Sequence, residues 1–237
     1  MKSVILCAGY ATRMWPLTKN RPKPLLMIKG RPILDYILEK VMRIKQVEEV
    51  ILVSNSRFYK NFCEYAGSRE FSKNIKILDD GTTTNSNRLG GIGNLWFAIE
   101  RSGLNNDYLV VLGDNFFDFS LQNFFDFSLK HRKITLGIVE LEREKLKHFG
   151  VVEIRGNKII SFEEKPSKPK SNFASTGIYF IPKERLKNIK EYLNSGFSRE
   201  GVGYFIEWML KKEEVYAMHL KGRWHDIGSI EEYEKVK

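Results

Sequence analysis

The chain has 237 residues, enough for one large α/β domain or two small ones, and its 42% hydrophobic and 13% aromatic content can bury a sizeable core. A formal net charge of +10, from 39 Lys+Arg against 29 Asp+Glu, favours anionic partners: phosphorylated metabolites, nucleic acid or a membrane surface. The cations are scattered rather than gathered on one helix, so much of this charge reads as solvated surface, and no apolar run reaches membrane-spanning length. Cys7 and Cys63 read as buried free thiols, since no Cys/His spacing suggests zinc. The N-terminus enters a strand directly instead of a signal peptide, so a cytoplasmic protein is expected.

Residues 3–8 read as a buried strand that breaks at Ala8-Gly9 into a loop of small residues. The loop carries Arg13, Lys19, Arg21 and Lys23 and is stiffened by Pro16, Pro22 and Pro24. Such a turn brings backbone N–H groups close to an anion, so one reading is a polyphosphate site and the other an ordinary connection with solvated cations. Pro32 and the apolar spacing over 33–43 predict a helix; 49–54 a buried strand; 57–66 a helix ended by Gly67; 75–78 a third strand. That order predicts a parallel, helix-covered sheet. Residues 79–93, rich in Asp, Gly, Thr and Asn, form a long loop after a strand, either a ligand loop or a plain surface loop. Helix 95–101, strand 108–112 running into Gly113-Asp114-Asn115, helix 121–131 and strand 134–140 follow.

The second half changes character. Residues 150–154 and 158–162 flank Arg155-Gly156-Asn157 as a hairpin, and the alternation set by Ile160 and Phe162 is interrupted by the charged run Glu163-Glu164-Lys165-Pro166. Strand 175–181, helices near 183–192 and 203–212, strand 215–220 and helix 230–236 complete the chain. With no internal repeat or linker, residues 1–237 read as one domain in two halves, 1–115 and 116–237.

Arg13 offers a planar fork and Lys23 a compact charge for the oxygens of a triphosphate, and both suit a departing pyrophosphate. Lys19 and Arg21 read as solvated bystanders. Asp114, at the carboxyl end of its strand, suits a Mg²⁺ ligand beside phosphates or, alternatively, a turn-initiating Asp. Lys165, with Pro166 fixing the chain exit, suits a second phosphate, unless the charged run simply guards a sheet edge. Asp226 would complete a two-carboxylate metal site with Asp114, although Asp-x-Gly is also a common turn. His225 reads as structural. No Ser/His/Asp or Cys/His arrangement supports covalent catalysis, and no Gly-x-Gly-x-x-Gly follows the first strand.

Six segments in this order resemble the sugar-1-phosphate nucleotidyltransferases, the nucleotide-sugar pyrophosphorylases, and above all the glucose-1-phosphate thymidylyl- and uridylyltransferases. They are Leu6 to Thr18 with Arg21-Pro22-Lys23-Pro24; Gly113-Asp114-Asn115; Phe149 to Glu153; Glu163 to Pro166; Ser175 to Tyr179; and Trp224-x-Asp226-x-Gly228. The resemblance covers nearly the whole chain. It implies a Rossmann-like, mostly parallel mixed α/β sheet flanked by helices, of the nucleotide-diphospho-sugar transferase type, with a smaller antiparallel part in the second half. It further implies a nucleotide-binding first half, in which Ala8, Gly9, Arg13, Lys23, Asn85 and Gly90 meet an NTP. In the second half Asn115, Gly150, Glu164, Lys165 and Gly177 would meet the sugar phosphate. Asp114 and Asp226 would hold Mg²⁺, and Arg13, Lys23 and Asp114 would be catalytic. The expected reaction is Mg²⁺-dependent nucleotidyl transfer from UTP or dTTP to a sugar 1-phosphate such as glucose 1-phosphate, giving the nucleotide-sugar and pyrophosphate. A cytidylyltransferase and a catalytically inactive regulatory homologue are the alternatives. Small-molecule substrates are the expected partners, with neither nucleic acid nor membrane, and a homo-oligomer is compatible with this reading.

The chain departs from the family pattern in three places. Ala8 and Ala11 replace glycines of the first loop, and Ala11 is costly only where positive φ is needed. Asn85 stands where pyrimidine-specific members carry Gln, five residues before Gly90. The chain ends soon after Asp226, without the C-terminal extension of longer members, which argues against the regulatory or assembly roles of that extension.

Overall fold

The computed structural model describes residues 1–71 and 73–237. Strand β1 (Lys2–Leu6) leads through the small-residue loop into a short hairpin, β2 (Met27–Ile28) and β3 (Arg31–Pro32), and then helix α1 (Ile33–Met42). The hairpin turn is Lys29-Gly30, both at positive φ, the backbone that a two-residue turn between twisted strands requires. Strand β4 (Glu49–Ser54), helix α2 (Tyr59–Gly67), strand β5 (Asn74–Asp79), helix α3 (Gly91–Ser102) and strand β6 (Tyr108–Leu112) follow. β1 pairs in parallel with β4 and β6, and β4 with β5, as the alternating strand and helix patterns predict.

The second half adds strand β7 (Asn115–Phe117), helix α4 (Gln122–His131), strands β8 (Thr135–Glu140), β9 (Gly150–Arg155), β10 (Lys158–Glu164) and β11 (Phe173–Ile181), helices α5 (Leu186–Asn194) and α6 (Val202–Met209), strands β12 (Tyr216–His219) and β13 (Trp224–Asp226), and helix α7 (Ile230–Val236). Among the described residues the main sheet has nine strands in the order β5-β4-β1-β6-β11-β8-β12-β10-β9. β11 is antiparallel to β6, β8 and β9, which makes the sheet mixed. The resulting α/β architecture is the mostly parallel sheet with an antiparallel part that the sequence predicts.

Apolar runs without alternation make sense because both faces are covered. Along β4, Val50 and Leu52 face one core layer with α1, α2, α4 and α7, while Ile51 and Val53 face the other with α3, α5 and α6. Each such side chain contributes about 1.5–3 kcal/mol on burial. No helix among the described residues is long and apolar enough to cross a membrane.

Several expected boundaries move. Helix α3 starts at Gly91 rather than 95, so the end of the expected 79–93 loop is helical. Residues 57 and 58 form a turn before α2, held by Phe58 N–H donating to Asn55 Oδ1 at 3.0 Å. Cys7 is buried, but Cys63 is only half-buried. In β10 the pairing with β9 slips between Ile159 and Ser161, a bulge that puts Ile159 inside with Phe162 and leaves Ile160 54% exposed. The expected alternation of Ile160 with Phe162 is thereby corrected.

The bulge predicts unequal costs for neighbouring isoleucines. Ile159→Ala should destabilise by about 2 kcal/mol or more and Ile160→Ala by less than about 0.5 kcal/mol in denaturant melts. Equal losses would place the bulge elsewhere.

Candidate active site

The site lies at the carboxyl ends of β1 and β6, where an open sheet leaves a crevice. Past β1, Cys7 N–H still donates to the Val53 carbonyl at 2.8 Å, and the buried Ala8 gives its carbonyl to Asn55 Nδ2 at 2.9 Å. Gly9 is exposed, and a Cβ there would meet no atom beyond its chain neighbours within 4 Å. Ala11 sits at φ 46°, ψ 40°, so the position does need positive φ, and a residue with a Cβ there costs about 1–2 kcal/mol. Its carbonyl is held by Met14 N–H at 2.9 Å and Thr18 Oγ1 at 2.7 Å. Arg13 projects from this loop exposed, and its guanidinium bonds to no other described residue.

Lys23 is placed differently. The short helical turn 23–25 half-buries it, and its ammonium donates to Asp114 Oδ2 at 2.7 Å and to the Ile227 carbonyl at 2.9 Å. Lys19 and Arg21 are exposed. Arg21 lines a separate surface groove of about 360 Å³ with Asn61, Glu64 and Arg69.

Gly113 allows Asp114 its position. Its N–H donates to the Leu6 carbonyl at 2.9 Å, and a Cβ there would lie 2.6 Å from Cys7 Sγ. The chain then enters β7, which pairs antiparallel with β13, so Asn115 faces Asp226 in register and Ile227 N–H donates to the Asp114 carbonyl at 3.1 Å. Backbone pairing thus brings the two carboxylates together. Burial, then the charge of Asp114, pushes the Asp226 carboxyl up to about 7, while Lys23, Arg13 and Lys165 pull it down. Charges from three other segments, the first loop, Asp114 and Lys165, therefore act on Asp226. Two carboxylates are what the described residues bring together here; no cluster of three or more His, Cys, Asp or Glu side chains suited to a metal occurs among them.

The second-half residues border the same region. Glu164 pairs with Gly150 across β10 and β9, and burial, partly offset by Lys165, holds its carboxyl above the usual range. Lys165 is exposed at φ 52°, its N–H fixed on the Phe149 carbonyl at 2.9 Å. Gly177 lies where the pairing of β11 with β8 shifts, also at positive φ. Asn115 is buried. Trp224 Nε1 donates to its Oδ1 at 2.9 Å, and its Nδ2 has no partner among the described residues. Asn85 lies in an exposed turn, and Gly90 caps α3.

Three arrangements escaped the sequence reading. Asn55 holding Ala8 had a signal, an Asn directly after an apolar strand. Trp224 orienting Asn115, and Tyr10 bonding Thr82 Oγ1 at 3.1 Å, join residues 109 and 72 positions apart and had none.

A model of the nucleotidyl transferase family matches residues 2–237, and the chain belongs to that family. It is 32% identical over 232 residues to the bifunctional protein GlmU of Methanocaldococcus jannaschii, a match covering 96% of this chain and 51% of GlmU. A Sulfolobus acidocaldarius protein described as a mannose-1-phosphate guanyltransferase is 28% identical over 240 residues, covering 100% of this chain and 62% of that protein. The chain thus spans about half the length of the curated GlmU relatives it matches. A Bacillus anthracis structure described as a glucose-1-phosphate thymidylyltransferase in complex with sucrose superposes with a TM-score of 0.88 at 24% identity, covering 100% of this chain and 93% of that one. A UDP-glucose pyrophosphorylase complexed with UDP-glucose gives 0.82 at 20%, covering 99% and 96%. At those identities the likeness establishes the fold, the nucleotide-diphospho-sugar transferase type.

The raised Asp226 carboxyl has a consequence for stability. Its ordinary value is 3.8 and its native value about 7, so between them the native state binds the extra proton. The contribution is complete below the lower value and is lost as pH rises through the upper one. Thermal melts of the ligand-free protein should therefore fall from about pH 5 to about pH 8, and Asp226→Asn should remove that component. Parallel profiles for the two proteins would refute it.

Proposed function

We propose that this chain transfers a nucleotidyl group from an NTP, most readily UTP or dTTP, to a sugar 1-phosphate such as glucose 1-phosphate, releasing pyrophosphate. The observation that carries the reading is the meeting of Lys23 with Asp114 and Asp226 under the influence of Arg13 and Lys165. Cations from the first loop and a cation from the second half suit two phosphates that approach from opposite sides.

In this reading the sugar-phosphate oxygen attacks the α-phosphorus in line, the new P–O bond forms, and the bond to pyrophosphate breaks. The nucleophile is already an anion, so no general base is required, and positioning with charge neutralisation supplies the catalysis. An ammonium has three N–H donors; Lys23 spends two on Asp114 and Ile227 and keeps one for a phosphate oxygen. Arg13, with its guanidinium unengaged, would fork onto the triphosphate, and Lys165 would take the sugar phosphate. The unpartnered Nδ2 of Asn115, fixed as a donor by Trp224, would meet a sugar oxygen. Glu164 would accept from a sugar hydroxyl, and the Asn85 turn with Gly90 would border the base.

Mg²⁺ fits the donor set. Burial, and then the charge of Asp114, raises the Asp226 carboxyl to about 7, and a divalent cation between the two carboxylates would favour both charges. Mg²⁺ commonly takes one or two carboxylates plus phosphate oxygens and water, so a two-carboxylate site suffices. When bound it would neutralise developing charge on the phosphates. The name of the Sulfolobus acidocaldarius relative, described as a mannose-1-phosphate guanyltransferase, supports a hexose 1-phosphate as the acceptor class.

A pyrophosphate-release screen of the common NTPs against a panel of sugar 1-phosphates tests the proposal. Turnover is expected with UTP or dTTP, lost on chelation and restored by Mg²⁺. Lys23→Ala and Asp114→Ala should each lower kcat by about 100-fold or more while circular dichroism stays native. Near-wild-type turnover in either variant would refute the assigned roles.

A further inference from the structure

The segment between β5 and α3 is pinned at both ends. At its start, the single Thr82 hydroxyl proton goes to Asp80 Oδ1 at 2.7 Å, so Tyr10 of the first loop must donate to Thr82 Oγ1. At its far end, Arg88 divides its guanidinium. Nε and Nη2 reach Glu200 Oε2 at 3.2 and 2.7 Å, and Nη1 reaches the Asn85 carbonyl at 2.5 Å. Asn85 opens a helical turn closed on itself by a reciprocal Thr84–Asn87 cap, so moving its carbonyl moves the whole turn.

Glu200 belongs to the stretch that enters α6, and that stretch is fitted tightly to the same loop. Its carbonyl accepts Gly91 N–H at 3.0 Å. Gly90 is at φ 79°, and a Cβ there would lie 2.0 Å from the Arg199 carbonyl oxygen, so only glycine fits. Helix α6 in turn lays Gly203 against Glu164, where a Cβ would lie 2.1 Å from Oε2. A chain of contacts therefore runs from the Asn85 turn through Arg88 and Glu200 to the second-half carboxylate Glu164. An exposed ion pair contributes only about 0–1 kcal/mol to stability. A three-pronged fork that joins a loop carbonyl to the opposite half acts on geometry instead.

We propose that Arg88 and Glu200 are positioning residues for base selection: they set the place of the Asn85 turn relative to the second half and so decide which NTP the chain accepts. This rests on the nucleotidyl-transfer reading above. Neither residue touches the reacting phosphates in that reading; both act through the turn.

The test is steady-state kinetics of wild type, Arg88→Ala, Glu200→Ala, the double variant and Arg88→Lys with each common NTP. In the alanine variants KM for the preferred NTP should rise about tenfold, with kcat and sugar-phosphate KM within about twofold. The preference among NTPs should narrow, and the double variant should be no worse than the worse single one. Arg88→Lys should keep the melting temperature but not the preference, because an ammonium retains the charge pair without the fork to Asn85. Unchanged NTP preference in both alanine variants, or equal rises in both KM values with a lower melting temperature, would overturn the proposal. A wild type that turns over no substrate pair would overturn the nucleotidyl-transfer reading and this inference together; an active wild type matched by Arg88→Ala would overturn this inference alone.

Discussion

The placement of one ammonium governs the rest of the site. Lys23 Nζ rests on a carboxylate 91 residues away and a carbonyl 204 residues away, so it ties together the first loop, the end of β6 and the chain after β13. The need for it comes from the backbone. The β7–β13 ribbon pairs Asn115 with Asp226, and the bond from Ile227 N–H to the Asp114 carbonyl continues it, so the backbones of Asp114 and Asp226 lie close. Burying a carboxylate beside a like charge is costly unless countered, and the high proton affinity of Asp226 is what remains of that cost after Lys23, Arg13 and Lys165 have acted. Removing Lys23 therefore does more than delete a contact: it leaves two carboxylates facing each other.

How much of this the sequence discloses depends on the range of the interaction. The parallel half was legible because strands such as Glu49–Ser54 are unbroken apolar runs separated by helical spacing. The ribbon of β7 and β13 was not, since three-residue strands are too short to carry a period and their partners lie far apart in the chain. The bulge at Ile159 inverted a two-residue alternation that looked regular. Gly90-Gly91-Ile92-Gly93 resembled loop composition, yet most of it is helix. Gly90 is there because the Arg199 backbone crosses it, a demand that originates over a hundred residues away.

Within the site the same rule holds. Lys23, Asp114 and Lys165 each end or border a recognisable strand or proline-stiffened turn, so their positions could be read locally, and family motifs then supplied their expected roles and that of Asp226. Trp224 stood in a recognised segment without a role, because its hydrogen bond to Asn115 leaves no spacing pattern. Arg88 was invisible for the same reason. Composition said only that the chain is basic, and it is geometry that separates the embedded Lys23 from the exposed Lys19 and Arg21.

The alanine of the first loop can now be placed. Among the described residues four non-glycines have positive φ: Ala11, Lys29, Arg132 and Lys165. Lys29 is in a two-residue hairpin turn and Arg132 ends α4, both ordinary settings for that backbone. The other two lie on the loops that carry Arg13 and Lys165 itself. Each is over-determined: Ala11 by two hydrogen bonds to its carbonyl, Lys165 by one from its N–H, with Pro166 behind it. Strain that neighbours enforce in this way is characteristic of pre-organised sites. Alanine also samples fewer unfolded conformations than glycine, which returns part of the cost of the left-handed backbone. A loop stiffened by Pro16, Pro22 and Pro24, with alanine where related motifs use glycine, has less freedom left to lose when an anion binds, and ordering cost is one of the terms that opposes binding.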